Sequence, residues 1–182
     1  MSKVYVCMAE GLEEVECLAV VDILKRGGVE VELVSMGDEL LVVGSHDIKI
    51  QADSLWSKEA CDRCDAIFLP GGMPGTKYLS EHEELGEMLQ KFHKEGKLLA
   101  AICAAPSVLG KYHCLEGKKA TCYPGWEDAL LGAEHVSDGV VRDGNVVTGR
   151  GLGFAVDEGL ELIRILVDGE TAEKVKDAIQ HP

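Results

Sequence analysis

Short runs of exclusively apolar residues recur along this chain, and each ends in a turn that leads toward a helical pattern. The clearest runs are residues 4–8, 66–69 and 98–102. Strands that are apolar on both faces are typical of a parallel sheet covered by helices on both sides. We therefore predict an α/β fold, flavodoxin-like in type, with a doubly wound and mostly parallel sheet.

Hydrophobic periodicity and turn residues predict the remaining elements. Helices are expected at 13–26, 83–95, 154–167 and 171–179, with a short one opening near Pro106. Further strands are expected at 29–36, 119–121, 139–141 and 145–148. Residues 40–55 predict a small β excursion. No linker, repeat or low-complexity stretch interrupts the pattern, so residues 1–182 are predicted to form one domain.

Charge and cysteine content exclude several classes of partner and site. The formal net charge of −14 argues against binding to nucleic acid or to an anionic membrane. No apolar run approaches the ~20 residues of a membrane span, and the first residues lead directly into a strand rather than a signal peptide. The seven cysteines are odd in number and scattered, which favours a reducing compartment. We predict a cytoplasmic protein.

Cys103 occupies the position where the strand 98–102 must turn into the helix that opens near Pro106. A side chain at such an elbow points out above the sheet edge, toward free N–H groups at the helix N-terminus. Those donors are expected to lower the pKa of a thiol and to hold an oxyanion. Ala101 and Ala105 supply the small residues that the tight turn needs. Cys103 is thus a candidate nucleophile; the alternative is an ordinary buried cysteine.

Glu16 is the second candidate, because it falls on an apolar stripe of the first helix. Ala19 and Val20 lie three and four residues away on the same face, whereas Glu13 and Glu14 are expected to be exposed. A buried carboxyl group with a raised pKa is typical of a general acid or base. The alternative is a first-turn glutamate that complements the helix dipole.

Two further patterns carry weaker predictions. Gly71 and Gly72 permit close backbone approach, and the N–H of Gly72 could join that of Ala104 as an oxyanion donor; the alternative is a plain tight turn. Cys61 and Cys64 form a C-x-x-C pair without the strand and helix start of a redox motif. No second pair completes a zinc site, and the histidines show no ligand spacing, so we predict no metal.

Four motifs together resemble the ThiJ/PfpI (DJ-one) superfamily, in its branch of the Parkinsonism-associated protein deglycase and bacterial relatives. They are Glu13-Glu14-Val15-Glu16, Leu69-Pro70-Gly71-Gly72, Ala101-Ile102-Cys103-Ala104-Ala105-Pro106 and Gly149-Arg150-Gly151. The resemblance implies a homodimer with an oxidation-prone cysteine beside a protonated glutamate, and no cofactor. It makes Cys103 the nucleophile and Glu16 its partner, framed by the N–H groups of Gly72 and Ala104.

The chain also departs from that family in two places. Many members carry a histidine where this chain has Tyr123, so a Cys–His dyad is not expected. The protease-like branch has a histidine directly after the cysteine, where Ala104 stands here, which argues against peptidase activity. The predicted substrate pocket is completed by Gly71, Tyr123, Arg26 and Arg150.

The resulting functional hypothesis is a cysteine-dependent small-aldehyde enzyme of the glyoxalase or deglycase type. Its substrates would be methylglyoxal, glyoxal or their adducts, with no metal or organic cofactor. The alternative is a sensor of oxidative stress, or a redox-regulated chaperone, that uses oxidation of Cys103 without turnover. The first helix has more apolar residues than one buried face needs, among them Leu18, Val21 and Leu24. This adds to the expectation of a homodimer.

Overall fold

A computed structural model describes residues 1–182 and contains a central sheet of seven strands. All strands, in chain order, are β1 (Lys3–Met8), β2 (Glu30–Ser35), β3 (Leu41–Val43), β4 (Lys49–Gln51), β5 (Ser54–Leu55), β6 (Ala66–Leu69), β7 (Leu98–Ile102), β8 (Lys119–Ala120), β9 (Glu134–His135), β10 (Val140–Asp143) and β11 (Val146–Gly149). The central sheet has the order β10-β11-β7-β6-β1-β2-β5, and only β10 runs antiparallel. The predicted mostly parallel α/β sheet is confirmed.

Seven α-helices accompany the sheet. They are α1 (Glu14–Arg26), α2 (Lys58–Asp62), α3 (Gly75–Glu81), α4 (Glu83–Glu95), α5 (Pro106–Lys111), α6 (Ala155–Leu166) and α7 (Gly169–Ala178). The sequence patterns gave no indication of α2 and α3. The first has only five residues after its Ser57 cap, and the second begins after Pro74 without a side-chain cap, so neither presents a helical period.

The two faces of the sheet bury separate apolar layers, as alternation along a strand requires. In β1, Val6 and Met8 pack into the layer beneath α1, α6 and α7, whereas Tyr5 and Cys7 pack into the layer beneath α4 and α5. All four side chains are fully buried. The continuous apolar runs in the sequence are therefore explained by burial on both sides.

The winding direction of the chain reverses at β1. From β1 the chain moves outward to β2 and β5, then crosses back to β6 on the other side of β1 and continues outward to β7 and β11. In such sheets a crevice forms at the carboxyl ends of the strands where the direction reverses. The loops that follow β1, β6 and β7 meet at that edge.

The first helix is more completely covered by its own chain than its sequence suggested. Val21 and Leu24 are buried because α6 packs alongside α1, with Ile23 against Gly159. Leu18 stays partly exposed. Of the three apolar residues that suggested a dimer surface on this helix, only Leu18 is therefore exposed. None of the helices is both long enough and apolar enough to pass through a membrane.

Candidate active site

Cys103 lies on the sharp turn between β7 and α5, at the carboxyl edge of the sheet. Its backbone has a φ of +65°, a left-handed conformation that is uncommon for a residue other than glycine and marks local strain. The Cys103 N–H donates to the carbonyl oxygen of Gly149 at 2.9 Å, which fixes the turn to the neighbouring strand β11. Ala101 and Ala105 are fully buried beneath it, and Cys103 itself is half-buried.

The side chains of Glu16 and Cys103 meet above Gly71. A Cβ atom placed on Gly71 would fall 2.4 Å from Glu16 Oε2 and 2.6 Å from Cys103 Cβ, so no side chain fits there. The Glu16 carboxyl group lies beside the thiol and near the N–H groups of Gly71 and Leu152, and its buried Oε2 has no hydrogen-bond partner. The first turn of α1 and the turns after β6 and β11 therefore assemble one compact pair of reactive groups.

Burial makes Glu16 a weak acid. Loss of solvent is the main cause, and together with the negative charge of Glu13 it raises the pKa of Glu16 to about 7. The thiol and the two N–H donors act in the opposite direction but only offset part of the increase. A carboxyl group with such a pKa can both accept and release a proton near neutral pH.

The backbone N–H groups of Ala104 and Gly72, the two donors named from the sequence, lie near the Cys103 sulfur and lower its pKa. These donors lower the pKa of Cys103 as expected, but the prediction that its pKa falls overall is wrong. Burial and the charge of Glu16 outweigh the donors and raise the pKa of Cys103 to about 12. The pair therefore holds one negative charge at most near neutral pH, and a thiolate forms only when its proton passes to a neighbouring base.

Glu14, expected to be exposed, is buried instead. It accepts the backbone N–H of His46 at 2.7 Å and lies 2.9 Å from the His46 ring nitrogen, contacts that lower its pKa. The β3–β4 hairpin thereby covers the start of α1. Glu13, Glu14 and His46 bring three ligand-type atoms near one another, but the Glu14 oxygens are already bonded to this hairpin.

The other predicted pocket residues separate into two groups. Tyr123 adjoins the pair, because its N–H donates to the carbonyl oxygen of Cys103 at 2.8 Å, and Arg150 follows Gly149 on the same edge. Arg26 does not belong to this site. It ends α1, about 15 Å along the axis from Glu16, and pairs with Asp22 at 2.6 Å. A basic residue there complements the C-terminal end of the helix dipole.

Glu158 is a buried acid that the sequence reading did not select. It is fully buried, and neither of its carboxyl oxygens has a hydrogen-bond partner. Its Oε2 lies against Gly149, where an added Cβ atom would come within 2.1 Å. Burial raises the pKa of Glu158 strongly, and the charge of Glu16 adds to this. Its place among Ala155 and Leu162 on one helix face was the same signal that singled out Glu16.

Comparison with known proteins places this geometry in a family. The family model described as "DJ-1/PfpI family" matches residues 2–165. The chain belongs to the DJ-1/PfpI family. Among solved structures, oxidized DJ-1 of Toxoplasma gondii superposes with a TM-score of 0.93 at 34% identity, covering 99% of this chain and 98% of that one.

Curated relatives agree with this membership. Protein DJ-1 homolog B of Arabidopsis thaliana is 39% identical over 95% of this chain, which spans only 40% of that longer protein. The chain likewise spans 46% of Protein DJ-1 homolog A of the same plant. Deglycase PH1704 of Pyrococcus horikoshii is 33% identical over 81% of this chain and 89% of its own length.

Replacement of Glu16 with glutamine should preserve the fold and remove an inflection near pH 7 from the rate of Cys103 alkylation by iodoacetamide. The reason is that ionisation of Glu16 opposes formation of the thiolate in the native protein. The rate is measured by intact mass from pH 5.5 to 9 (about the range over which both groups respond). Glu170→Gln, on the exposed surface of α7, is the control. An unchanged pH profile in Glu16→Gln would show that the two groups are not coupled.

Proposed function

We propose that this chain is a cofactor-independent, cysteine-dependent small-aldehyde enzyme of the glyoxalase or deglycase type. Its substrates would be methylglyoxal, glyoxal or their adducts with thiols and amines. The observation that carries this proposal is the Cys103 thiol held between the Glu16 carboxyl group and the N–H groups of Gly72 and Ala104. The name of the related Deglycase PH1704 supports the same class of chemistry.

The proposed reaction begins with attack of the Cys103 sulfur on the aldehyde carbon while Glu16 accepts the thiol proton. The carbonyl oxygen becomes an oxyanion stabilised by the two N–H groups, and a proton then completes the hemithioacetal. Transfer of hydrogen from the former aldehyde carbon to the adjacent carbonyl carbon, relayed as a proton by Glu16, yields a thioester of a 2-hydroxy acid. Water hydrolyses this thioester and releases the thiol. One carbon is oxidised and its neighbour reduced, so no external redox partner is required.

The test is conversion of methylglyoxal to lactate in the absence of glutathione. Cys103→Ser should lower kcat/KM by at least about a thousandfold, because a serine hydroxyl beside Glu16 is a far weaker nucleophile than a thiol. Cys64→Ser is the matched control, since it removes a buried thiol distant from Glu16. Equal rates in the native protein and Cys103→Ser would refute the proposal.

A second candidate function is oxidation sensing, in which Cys103 is converted to a sulfinic acid without turnover. The observation that favours it is that Cys103 alone among the seven cysteines is not buried. The N–H groups of Gly72 and Ala104 would bind the sulfinate oxygens. A protein that is inert toward aldehydes, yet gains two oxygen atoms at Cys103 under mild peroxide, would support this function over the first.

We also propose a homodimer that works in the cytoplasm as a single domain. Val15 and Leu18 on α1 remain exposed, which gives an apolar surface suited to a second copy. All seven cysteines are free thiols, as a reducing compartment requires. Light scattering at micromolar concentration should give twice the chain mass of 19.6 kDa, and a species of that single mass would contradict the dimer.

A further inference from the structure

A cleft opens beside the Cys103–Glu16 pair, between the turn that carries Tyr123 and the loop 150–154. We call it the side cleft. Its principal lining residues are Tyr123, Arg150, Leu152 and Phe154. Its volume is about 300 Å³, far larger than a three-carbon aldehyde needs. The reactive pair alone therefore does not account for this space.

The side cleft adjoins both reactive residues. The N–H of Tyr123 donates to the Cys103 carbonyl oxygen at 2.8 Å, and the N–H of Leu152 lies near the Glu16 carboxyl group. Between the walls, a Cβ atom placed on Gly151 would lie 3.4 Å from the Tyr123 ring and 4.0 Å from Glu16 Oε1. A molecule whose reacting carbon lies at Cys103 can thus extend into the side cleft.

The walls are apolar and largely in contact with solvent. Tyr123 is 52% exposed, Leu152 49% and Phe154 38%, an unusual concentration for so short a stretch of surface. The Phe154 ring rests against Gly139, where an added Cβ atom would come within 2.2 Å of the ring, so its position is fixed from behind. Two aromatic rings and an aliphatic side chain are suited to a flat apolar group.

The polar group of the side cleft is Arg150. Its guanidinium donates one hydrogen bond, to the carbonyl oxygen of Ser137 at 3.3 Å, and its charge also acts on Glu127. The remaining N–H donors match the geometry of a carboxylate.

We propose that the side cleft binds the body of the substrate, an aldehyde attached to an aromatic or extended apolar group that ends in a carboxylate. This inference rests on the proposed aldehyde chemistry at Cys103 and specifies its substrate class. Tyr123 and Phe154 contact the apolar group, and Arg150 binds the carboxylate. These residues determine specificity, whereas Cys103 and Glu16 perform the reaction.

Binding can be measured without turnover by using aldehydes that have no adjacent carbonyl group. With these compounds the sulfur–carbon bond forms, the carbonyl double bond becomes single, and the thiol proton ends on the oxygen. The reaction stops at this hemithioacetal, because there is no neighbouring carbonyl carbon to reduce. The adduct protects Cys103 from iodoacetamide, and the protection gives a dissociation constant.

The experiment compares propanal, benzaldehyde and para-carboxybenzaldehyde as protecting agents, each corrected for its hemithioacetal equilibrium with 2-mercaptoethanol. We expect corrected affinity to rise by about tenfold from propanal to benzaldehyde and by about tenfold again to the carboxylate. Phe154→Ala should reduce the first ratio and Arg150→Gln the second. Arg142→Gln, outside the side cleft, should retain both ratios.

Equal corrected affinities for the three aldehydes, or ratios that survive both Phe154→Ala and Arg150→Gln, would overturn the proposal. The outcome is separable from that of the proposed function. Preference for the aryl carboxylate without methylglyoxal turnover would refute only the proposed reaction. Turnover of methylglyoxal without any preference would refute only the side cleft as a binding site.

Discussion

Replacement of Glu158 with methionine should raise the free energy of unfolding by about 2 kcal/mol at pH 5, because it removes a buried polar group without hydrogen-bond partners. The gain should grow as the pH rises. The folded state keeps Glu158 protonated, while the unfolded chain releases this proton above its ordinary pKa of 4.5. Stability of the native protein is therefore lost with increasing pH, by up to about 1.4 kcal/mol per pH unit from this group.

The measurement is urea unfolding of both proteins at pH 5, 6, 7 and 8 (spanning about the range in which the unfolded carboxyl is ionised). Glu16, with its pKa raised to about 7, also lowers the free energy of unfolding as the pH rises from 4.5 to 7. This loss occurs in both proteins. Glu158→Gln is the matched control, since it keeps a buried polar group but cannot ionise. It should share the altered pH slope without the constant gain. Identical slopes in all three proteins would show that Glu158 is not a protonated buried acid.

Replacement of Gly71 with alanine should lower any aldehyde turnover by about a hundredfold, the cost expected for a displacement near 1 Å of the thiol from the carboxyl group that accepts its proton. The new methyl group would overlap Glu16 Oε2 and Cys103 Cβ, and the Ile102 carbonyl oxygen at 3.0 Å leaves it no other direction. The two reactive side chains would be pushed apart while the rest of the sheet is untouched.

Conversion of methylglyoxal to lactate without glutathione measures this effect, with circular dichroism to verify the fold. Gly169→Ala in the first turn of α7 is the control, because nothing lies within 4 Å of its added methyl group. It should react at the native rate. If Gly71→Ala also reacts at the native rate, then contact between Glu16 and Cys103 is not needed for reactivity.

Elements with a periodic apolar face could be predicted from the sequence, whereas very short elements could not. Helix α4 was predicted at 83–95, its observed bounds, because its apolar face has a clear period. In the structure His82 caps it and Gly96 ends it in a left-handed conformation. Helix α2 depends on one cap at Ser57 over five residues. Such short elements are determined by the surrounding packing rather than by their own pattern.

The candidate site was likewise predicted only in part. The positions of Cys103, Glu16 and Gly72 follow from the order of strands and turns, which the sequence displays. The sign of the Cys103 pKa shift does not follow from it, because it depends on how deeply the thiol and Glu16 are buried together. Arg26 was wrongly assigned to the pocket, although the predicted helix 13–26 already puts it about 15 Å from Glu16.

The distribution of thiols means that cysteine labelling can measure the unfolding of this protein. Six cysteines lie within the two apolar layers, and only Cys103 can be reached by a reagent in the folded state. Once Cys103 is blocked, every further label marks a molecule that has opened. The rate of that slow labelling reports local and global opening separately, since Cys61 lies in the short helix α2 and Cys64 just after it, whereas Cys7 lies in the interior strand β1.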